Sequence, residues 1–382
     1  MEIRALDEGH WPAVRDLLEQ AFGLRTEPHW KSTAERVRPA TAAGRQFGAF
    51  DGGRLVGTAL IHDMTQWWYG RPVPMGGIGG VAVAPDARGR GIGRALMTGV
   101  LEGCARSGYA LSMLYPATSP LYRSLGWEHA GALHGVALPA EALRTVRAEP
   151  VEVRRAGPDD AAEVVRVIGR AHRDARHCGP VGWDEERWRG TLAEPGDYFY
   201  LAADGFLHYR WAEGNGSLQV KKLVAGSERT LRGLWALVGS GSSTARTVHA
   251  EVAPHDPVFW LLRERTSEEV GRERWMLRVV DAPKAIKGRG YPAGVTADLP
   301  LVIDDAGVGA NAGAWRLVVK DGEGRLERAA EGPGAVRLGA GGLAALYAGV
   351  PAATLRAAGL LDGDAPELDA VFAADPFALD FF

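Results

Sequence analysis

Between Val81 and Arg94 the chain reads Val-Ala-Val-Ala-Pro-Asp-Ala-Arg-Gly-Arg-Gly-Ile-Gly-Arg. A short apolar run ends at Pro85, and an Arg88-x-x-Gly91-x-Gly93 loop opens a helical pattern that turns Ala95, Leu96, Val100 and Leu101 inward. Glycines let a backbone approach an anion closely, and N–H groups at a helix start point at it. Arg88, Arg90 and Arg94 add charge-assisted contacts. Val81, Ala82 and Val83 with Gly89, Arg90, Gly91, Ile92 and Gly93 therefore predict a pyrophosphate cradle, and with it a phosphorylated cofactor near residue 90. An ordinary glycine-rich turn is the plain alternative. The coincidence of strand, arginine and both glycines in that order favours the cradle. Gly79-Gly80 just ahead permits a bulge, which would free a backbone N–H near Val81 to Val83 to face a developing negative charge.

Three further features carry possible chemistry. Tyr122 follows a proline-broken loop, in Ser119-Pro120-Leu121-Tyr122. The chain ends Asp380-Phe381-Phe382, and two aromatic residues at a terminus are expected to be buried. Trp30, Trp67, Trp68 and Tyr69 offer faces to a cation, with core packing as the alternative. His172, His177 and Cys178 match no zinc spacing, so no metal is expected.

The elements that must position these groups come from a chain of 382 residues, long enough for two or three domains. Its net charge of −3 argues against a nucleic-acid binder, which needs a basic face. Its two cysteines show no pairing pattern, and a reducing cytoplasm fits best. The N-terminus lacks the apolar segment of a signal peptide, and no run approaches the ~20 apolar residues of a membrane span.

The first 150 residues read as a mixed α/β unit. Strands are predicted around Ile3, at Arg45 to Phe50, Leu55 to His62 and Tyr109 to Leu114, and from Trp127. A helix over Trp11 to Phe22 has Val14, Leu17, Leu18 and Phe22 on one face. Near residue 150 the pattern restarts, because Val153 to Val165 resembles Ile3 to Arg15. A duplicated domain over 151–285 follows. Its cradle position, Leu223 to Arg229, has no Arg-x-x-Gly-x-Gly, so the second copy is expected to lack a cofactor site. A third unit, 286–382, contains strand-like runs at Leu301 to Ile303 and Trp315 to Val319 and a helix-rich stretch, Gly341 to Leu361.

Val81-Ala82-Val83 with Arg88-x-x-Gly91-x-Gly93 resembles the acyl-CoA motif of the GNAT superfamily of N-acetyltransferases. The duplication, the degenerate second copy, the Arg278-Val279-Val280-Asp281-Ala282-Pro283 junction and the aromatic terminus together resemble the Eis (enhanced intracellular survival) acetyltransferases over essentially the whole chain. The resemblance implies an α/β (α+β) architecture of tandem GNAT domains and a C-terminal sterol-carrier-like domain. It implies acetyl-CoA as co-substrate, a small-molecule amine as acceptor (notably an aminoglycoside, often acetylated more than once) and a homo-hexamer. Lysine or polyamine acceptors, and a non-catalytic acyl-CoA or drug sensor, are the alternatives.

In that family a tyrosine is the general acid and the chain's own terminal carboxylate the general base. These map to Tyr122 and Phe382, and Ala117 and Thr118 join the cofactor positions. Trp30, from its aromatic face, and Asp380 and Phe381, beside the terminal base, are the candidate acceptor-binding residues. The chain departs from the family in carrying Phe381 where an acidic residue precedes the terminal Phe, Leu24 near an early acidic position, and Ala117 in place of serine. The chemistry needs such groups, since an amine attacks a thioester only after losing a proton. A carboxylate can take that proton, and a phenol with an ordinary pKa of about 10 can return one to the departing thiolate.

Overall fold

The computed structural model describes residues 1–24, 26–263 and 269–382. Within the first unit, β1 (Glu2–Ala5), β2 (Gln46–Asp51), β3 (Arg54–Trp68) and β4 (Arg71–Val83) form an antiparallel meander. The β2–β3 turn rests on Gly52 and Gly53, whose φ angles of 56° and 84° lie where side chains are strained. β5 (Leu111–Leu114) then joins β4 in parallel. Helix α1 (Trp11–Phe22) buries Val14, Leu17 and Leu18, as its spacing predicts. Phe22, in its last turn, is 54% exposed, beyond the core edge. Helix α2 (Glu27–Ala42) was not anticipated. Helix α3 (Ile92–Arg106) buries Ile92, Leu96, Met97, Val100 and Leu101. Helix α4 (Ser119–Arg123) and strand β6 (Glu128–Pro139) complete the unit's run of chain, followed by α5 (Ala140–Arg144).

The second unit repeats the scheme. It comprises β7 (Arg154–Arg155), α6 (Ala161–Asp174), β8 (Val181–Gly182), α7 (Glu185–Leu192), β9 (Asp197–Ala202), β10 (Gly205–Ala212), β11 (Ser217–Ala225), α8 (Glu228–Gly239), β12 (Thr247–Val252), α9 (Val258–Leu261) and β13 (Glu269–Val279). The two units share one sheet, ordered β1-β2-β3-β4-β5-β13-β6-β12-β11-β10-β9-β7. They exchange strands at the junction. β13 from the second inserts beside β5 of the first, with Met276 opposite Leu114, and β6 continues to β12, with Leu138 opposite Val248. Gly131 on β6 makes room for this, because a Cβ there would lie 2.8 Å from Trp275 Cε2.

A separate sheet, β16-β15-β14-β17-β18, forms the third unit from β14 (Ala297–Asp304), β15 (Gly313–Lys320), β16 (Glu323–Arg328), β17 (Val336–Gly339) and β18 (Leu361–Asp362). Helix α11 (Ala340–Tyr347) packs between this sheet and β6 and β13. The unit begins with α10 (Ala282–Gly288), capped by Asp281 accepting from the Lys284 N–H. A domain border between 285 and 286 falls inside this helix. Arg278 on β13 and Asp305 are both fully buried and lie 2.5 Å apart. Asp305 also accepts from Gly307, Val308 and Asn311, so the buried charge is well supplied with partners. One apolar core runs from Met64 and Trp68 to Tyr347 and Phe372, joining the third unit to the first. Trp67 and Trp68 are buried in the interior, which removes them from the surface offered to a cation.

The last strand, β19 (Phe377–Ala378), pairs in parallel with β6, Phe377 opposite Ala132. It leads residues 379–382 back over the first unit. Among the described residues no helix is long and apolar enough to cross a membrane.

Candidate active site

The cradle sequence folds into a bulge, a splay and an open helix start. Leu60 faces Gly79 and Thr58 faces Ala82 across the β3–β4 pair, so β4 carries one residue more than its partner at this point. Gly80 takes that bulge with φ +59°. Pairing of β4 with β5 ends at Ile78 and Leu114, while β4 runs on to Val83 against β3. Residues Gly79 to Val83 therefore border an opening between the two strands.

Gly89 and Gly91 follow with φ of +77° and +78°. Their side-chain positions face open space, so the glycines are required by backbone conformation. No side chain caps the start of α3, which leaves its first N–H groups available to an anion. At the matching helix of the second unit, α8, the Ser227 hydroxyl accepts from the Thr230 N–H. That helix start is occupied by the chain itself. Arg90 donates to Asp51 at 2.8 Å, Arg88 donates to the Val83 carbonyl at 3.3 Å, and Arg94 is exposed. Gly93 admits Leu121 of α4 against α3. Ala117 and Thr118 lie between β5 and α4, with Thr118 extended at the helix start.

Tyr122 is 5% exposed and packs in the cluster of Ile78, Leu96, Leu114 and Trp127. Burial raises its phenol above the ordinary value. Ile78 points to this face of β4. By the alternation of a strand, Gly77 and Gly79 point to the other, and there the chain terminus lies. A Cβ at Gly77 would lie 2.7 Å from Phe382 Cε2, and one at Gly79 would lie 3.6 Å from the Phe382 carboxyl carbon and 3.0 Å from His62 Nε2. Glycine at 77 gives the terminal ring room against the strand, while a Cβ at 79 would make only ordinary contact with Phe382 and press on His62.

Three rings hold the Phe382 ring edge-on. His62, Trp183 and Tyr115 lie 5.9, 6.1 and 5.7 Å away between centroids, in the T-shaped geometry aromatic quadrupoles favour. Tyr115 also donates its hydroxyl to the Asp380 carbonyl at 2.7 Å. Phe381 rests on Tyr115 at 4.5 Å but is 61% exposed, contrary to the expectation that both terminal rings are buried. The tail is anchored through its neighbours and leaves that ring at the surface.

The charges of the site are unevenly matched. Asp380 pairs with buried Lys222 at 2.5 Å, so its carboxylate is neutralised within the chain. Glu251 lies 3.5 Å from Lys221. Burial outweighs that cation and raises the Glu251 carboxyl to about 7. The His62 imidazole is pushed down to about 3 by burial and by Arg187, Arg45 and Arg36, so it is neutral at ordinary pH. Trp30 on α2 lies under the Arg15 guanidinium, 5.7 Å from its ring, and packs beside the α1 core. No contact among the described residues joins it to the terminus. His62, Tyr115, Trp183, Arg187 and Lys222 were missed in the sequence. Of these only Lys222 left a signal, as an ionisable residue at the alternate positions otherwise held by Leu218, Val220 and Val224.

Comparison with known proteins adds to this geometry. An acetyltransferase (GNAT) domain family matches residues 2–130, a second acetyltransferase (GNAT) domain family residues 179–279, and a sterol carrier protein domain residues 282–378. N-acetyltransferase Eis of Mycobacterium tuberculosis is 28% identical over an alignment covering 96% of each chain. A GCN5-related N-acetyltransferase from Kribbella flavida is 43% identical. Its crystal structure covers 100% of this chain and 98% of its own, with a TM-score of 0.96. Eis1 from Mycobacterium abscessus shares the fold at a TM-score of 0.78 and 22% identity, covering 100% of both chains.

Proposed function

The chain belongs to the Eis family of GCN5-related N-acetyltransferases, and from that premise we propose that the Phe382 carboxylate and Tyr122 carry its acetyl transfer to a primary amine. GNAT enzymes use acetyl-CoA. In this proposal the residues that hold it are Val81 to Val83, Arg88 to Arg94, Ala117 and Thr118. The uncapped α3 start and two left-handed glycines support the pyrophosphate at Gly89 to Arg94. The bulge at Gly80 supports a backbone N–H near Val81 as donor to the thioester carbonyl. The observation that carries the reading is the terminal carboxyl beside Gly79, one residue before the bulge and just past the last β4–β5 pair.

From one face of β4 the Phe382 carboxylate takes the ammonium proton, so that the free amine attacks the acetyl carbon. From the other face the Tyr122 hydroxyl donates to the departing thiolate. His62 stays neutral and, with Trp183 and Tyr115, fixes the terminal ring. The transfer is direct, in a ternary complex. Both cysteines are buried, and burial raises each thiol, Cys104 to about 12, which leaves no activated thiolate for an acyl-enzyme.

Aminoglycosides, acetylated at more than one amine, are the acceptors the family reading names first, in a hexameric cytoplasmic enzyme. The second reading is lysine-type amines or polyamines; within it the Asp380–Lys222 pair favours lysine-type amines, because it removes tail negative charge that any polycation, aminoglycoside or polyamine, would use. Thiol release with acetyl-CoA and a panel of aminoglycosides, polyamines and lysine derivatives tests the proposal, with products counted by mass. Tyr122→Phe should lower kcat by about 10²-fold or more and leave acetyl-CoA affinity unchanged. No thiol release with any amine would favour a non-catalytic acyl-CoA sensor instead.

A further inference from the structure

Beside the terminal residue lies a cation that forms no salt bridge among the described residues. Arg187 lies on α7 of the second unit, and its guanidinium stacks on the Trp183 ring at 4.8 Å. That ring meets both Phe382 and His62 edge-on, at 6.1 and 5.8 Å. Trp183 thus places a guanidinium next to the groups proposed to receive the amine. Among the described residues no carboxylate lies in hydrogen-bond or ion-pair reach of it. The nearby acids are engaged elsewhere. Asp184 caps α7, Glu194 pairs with Arg36 at 2.5 Å, and Asp380 pairs with Lys222.

A half-buried arginine without a counter-ion is costly unless something completes it. Burial, and after it the like charge of Arg36, lowers its pKa to about 10. Its flat face is covered by indole, and among the described residues no group accepts from its N–H edge. That edge matches a planar carboxylate with two parallel hydrogen bonds. We infer that Arg187 binds a carboxylate of the acceptor, so that the preferred substrates are amino carboxylates with the amine at the Phe382 carboxylate and the acid at Arg187. The inference rests on the acetyl-transfer reading above and narrows its second acceptor class. A polycationic acceptor would bring ammonium groups against Arg187 and find no free acid at Asp380.

The test compares lysine with lysinamide, which differ in that carboxylate, with cadaverine and an aminoglycoside panel as reference amines. Purified full-length enzyme is assayed by thiol release with acetyl-CoA. The expected kcat/KM ratio of lysine to lysinamide is about tenfold or more. It should fall to about one in Arg187→Gln and recover in part in Arg187→Lys, with melting temperature and acetyl-CoA affinity followed as folding controls. A ratio of one or less in the wild-type enzyme overturns the inference, and this measurement needs no variant. An unchanged ratio in Arg187→Gln also overturns it. Turnover of amines without the preference leaves acetyl transfer standing and defeats this inference alone. Absence of turnover on every amine defeats both.

Discussion

Replacing Gly77 with alanine should slow acetyl transfer by about a hundredfold while leaving acetyl-CoA binding intact. The added methyl would lie 2.7 Å from Phe382 Cε2 and 3.1 Å from Cζ, and closer still to Met64 Cε. The thioether can yield, since methionine is flexible. Carbon atoms rest at about 3.5–4.0 Å, so the Phe382 ring must retreat by about 1 Å. The carboxylate sits on that same residue and moves with it. A misplacement of about 1 Å costs about 10² in rate when the reaction depends on near-attack geometry. Overpacking in the strand should add roughly 1–3 kcal/mol of destabilisation, visible as a lower Tm. The assay measures kcat by thiol release at saturating substrates, acetyl-CoA Kd by titration, and Tm. A folded Gly77→Ala enzyme with kcat within about twofold of wild type would refute the reasoning, because a base positioned by the terminal ring cannot tolerate that shift.

Gly91→Ala should weaken acetyl-CoA binding by about tenfold, since a side chain at φ +78° costs about 1–2 kcal/mol. Unchanged affinity in a titration would remove the α3 start from the cradle. His62 should make stability fall in acid. Its folded pKa of about 3 lies below the ordinary 6.5, so the unfolded chain binds more protons between those values. The contribution is fully present above pH 6.5 and is lost as pH drops toward 3. Denaturant titrations of His62→Gln should show a shallower decline across that window, and equal slopes would contradict the assignment.

What the sequence revealed was local. The hairpin around Asp51-Gly52-Gly53, the inward face of α1 and the strand-loop-helix of the cradle each depend on neighbours within a few residues, and their periodicity and turn chemistry were readable. The bulge was legible in Gly79-Gly80 for the same reason. Helix α2 escaped because it carries Pro28 and Pro39 and has no clear apolar stripe. The exchange of β6 and β13 was invisible, since both strands could have completed their own units and the pairing depends on contacts across more than a hundred residues. The surroundings of Phe382 were hidden for the same cause. His62 comes from β3, Tyr115 from the end of β5, Trp183 and Arg187 from the second unit, and Lys222 from β11. The pairing of Lys222 with Asp380 changes the sign of the argument about acceptor charge, and no local pattern announces it.

Moving the last carboxylate tests the account most directly. Extending the chain by one glycine after Phe382 keeps the phenyl ring, the β19 pairing and the cradle, and carries the carboxylate past Gly79. We expect kcat to fall by about 10²-fold or more, with acetyl-CoA Kd and Tm unchanged. An extended enzyme that turns over amines at the wild-type rate would show that the proton leaves by another group.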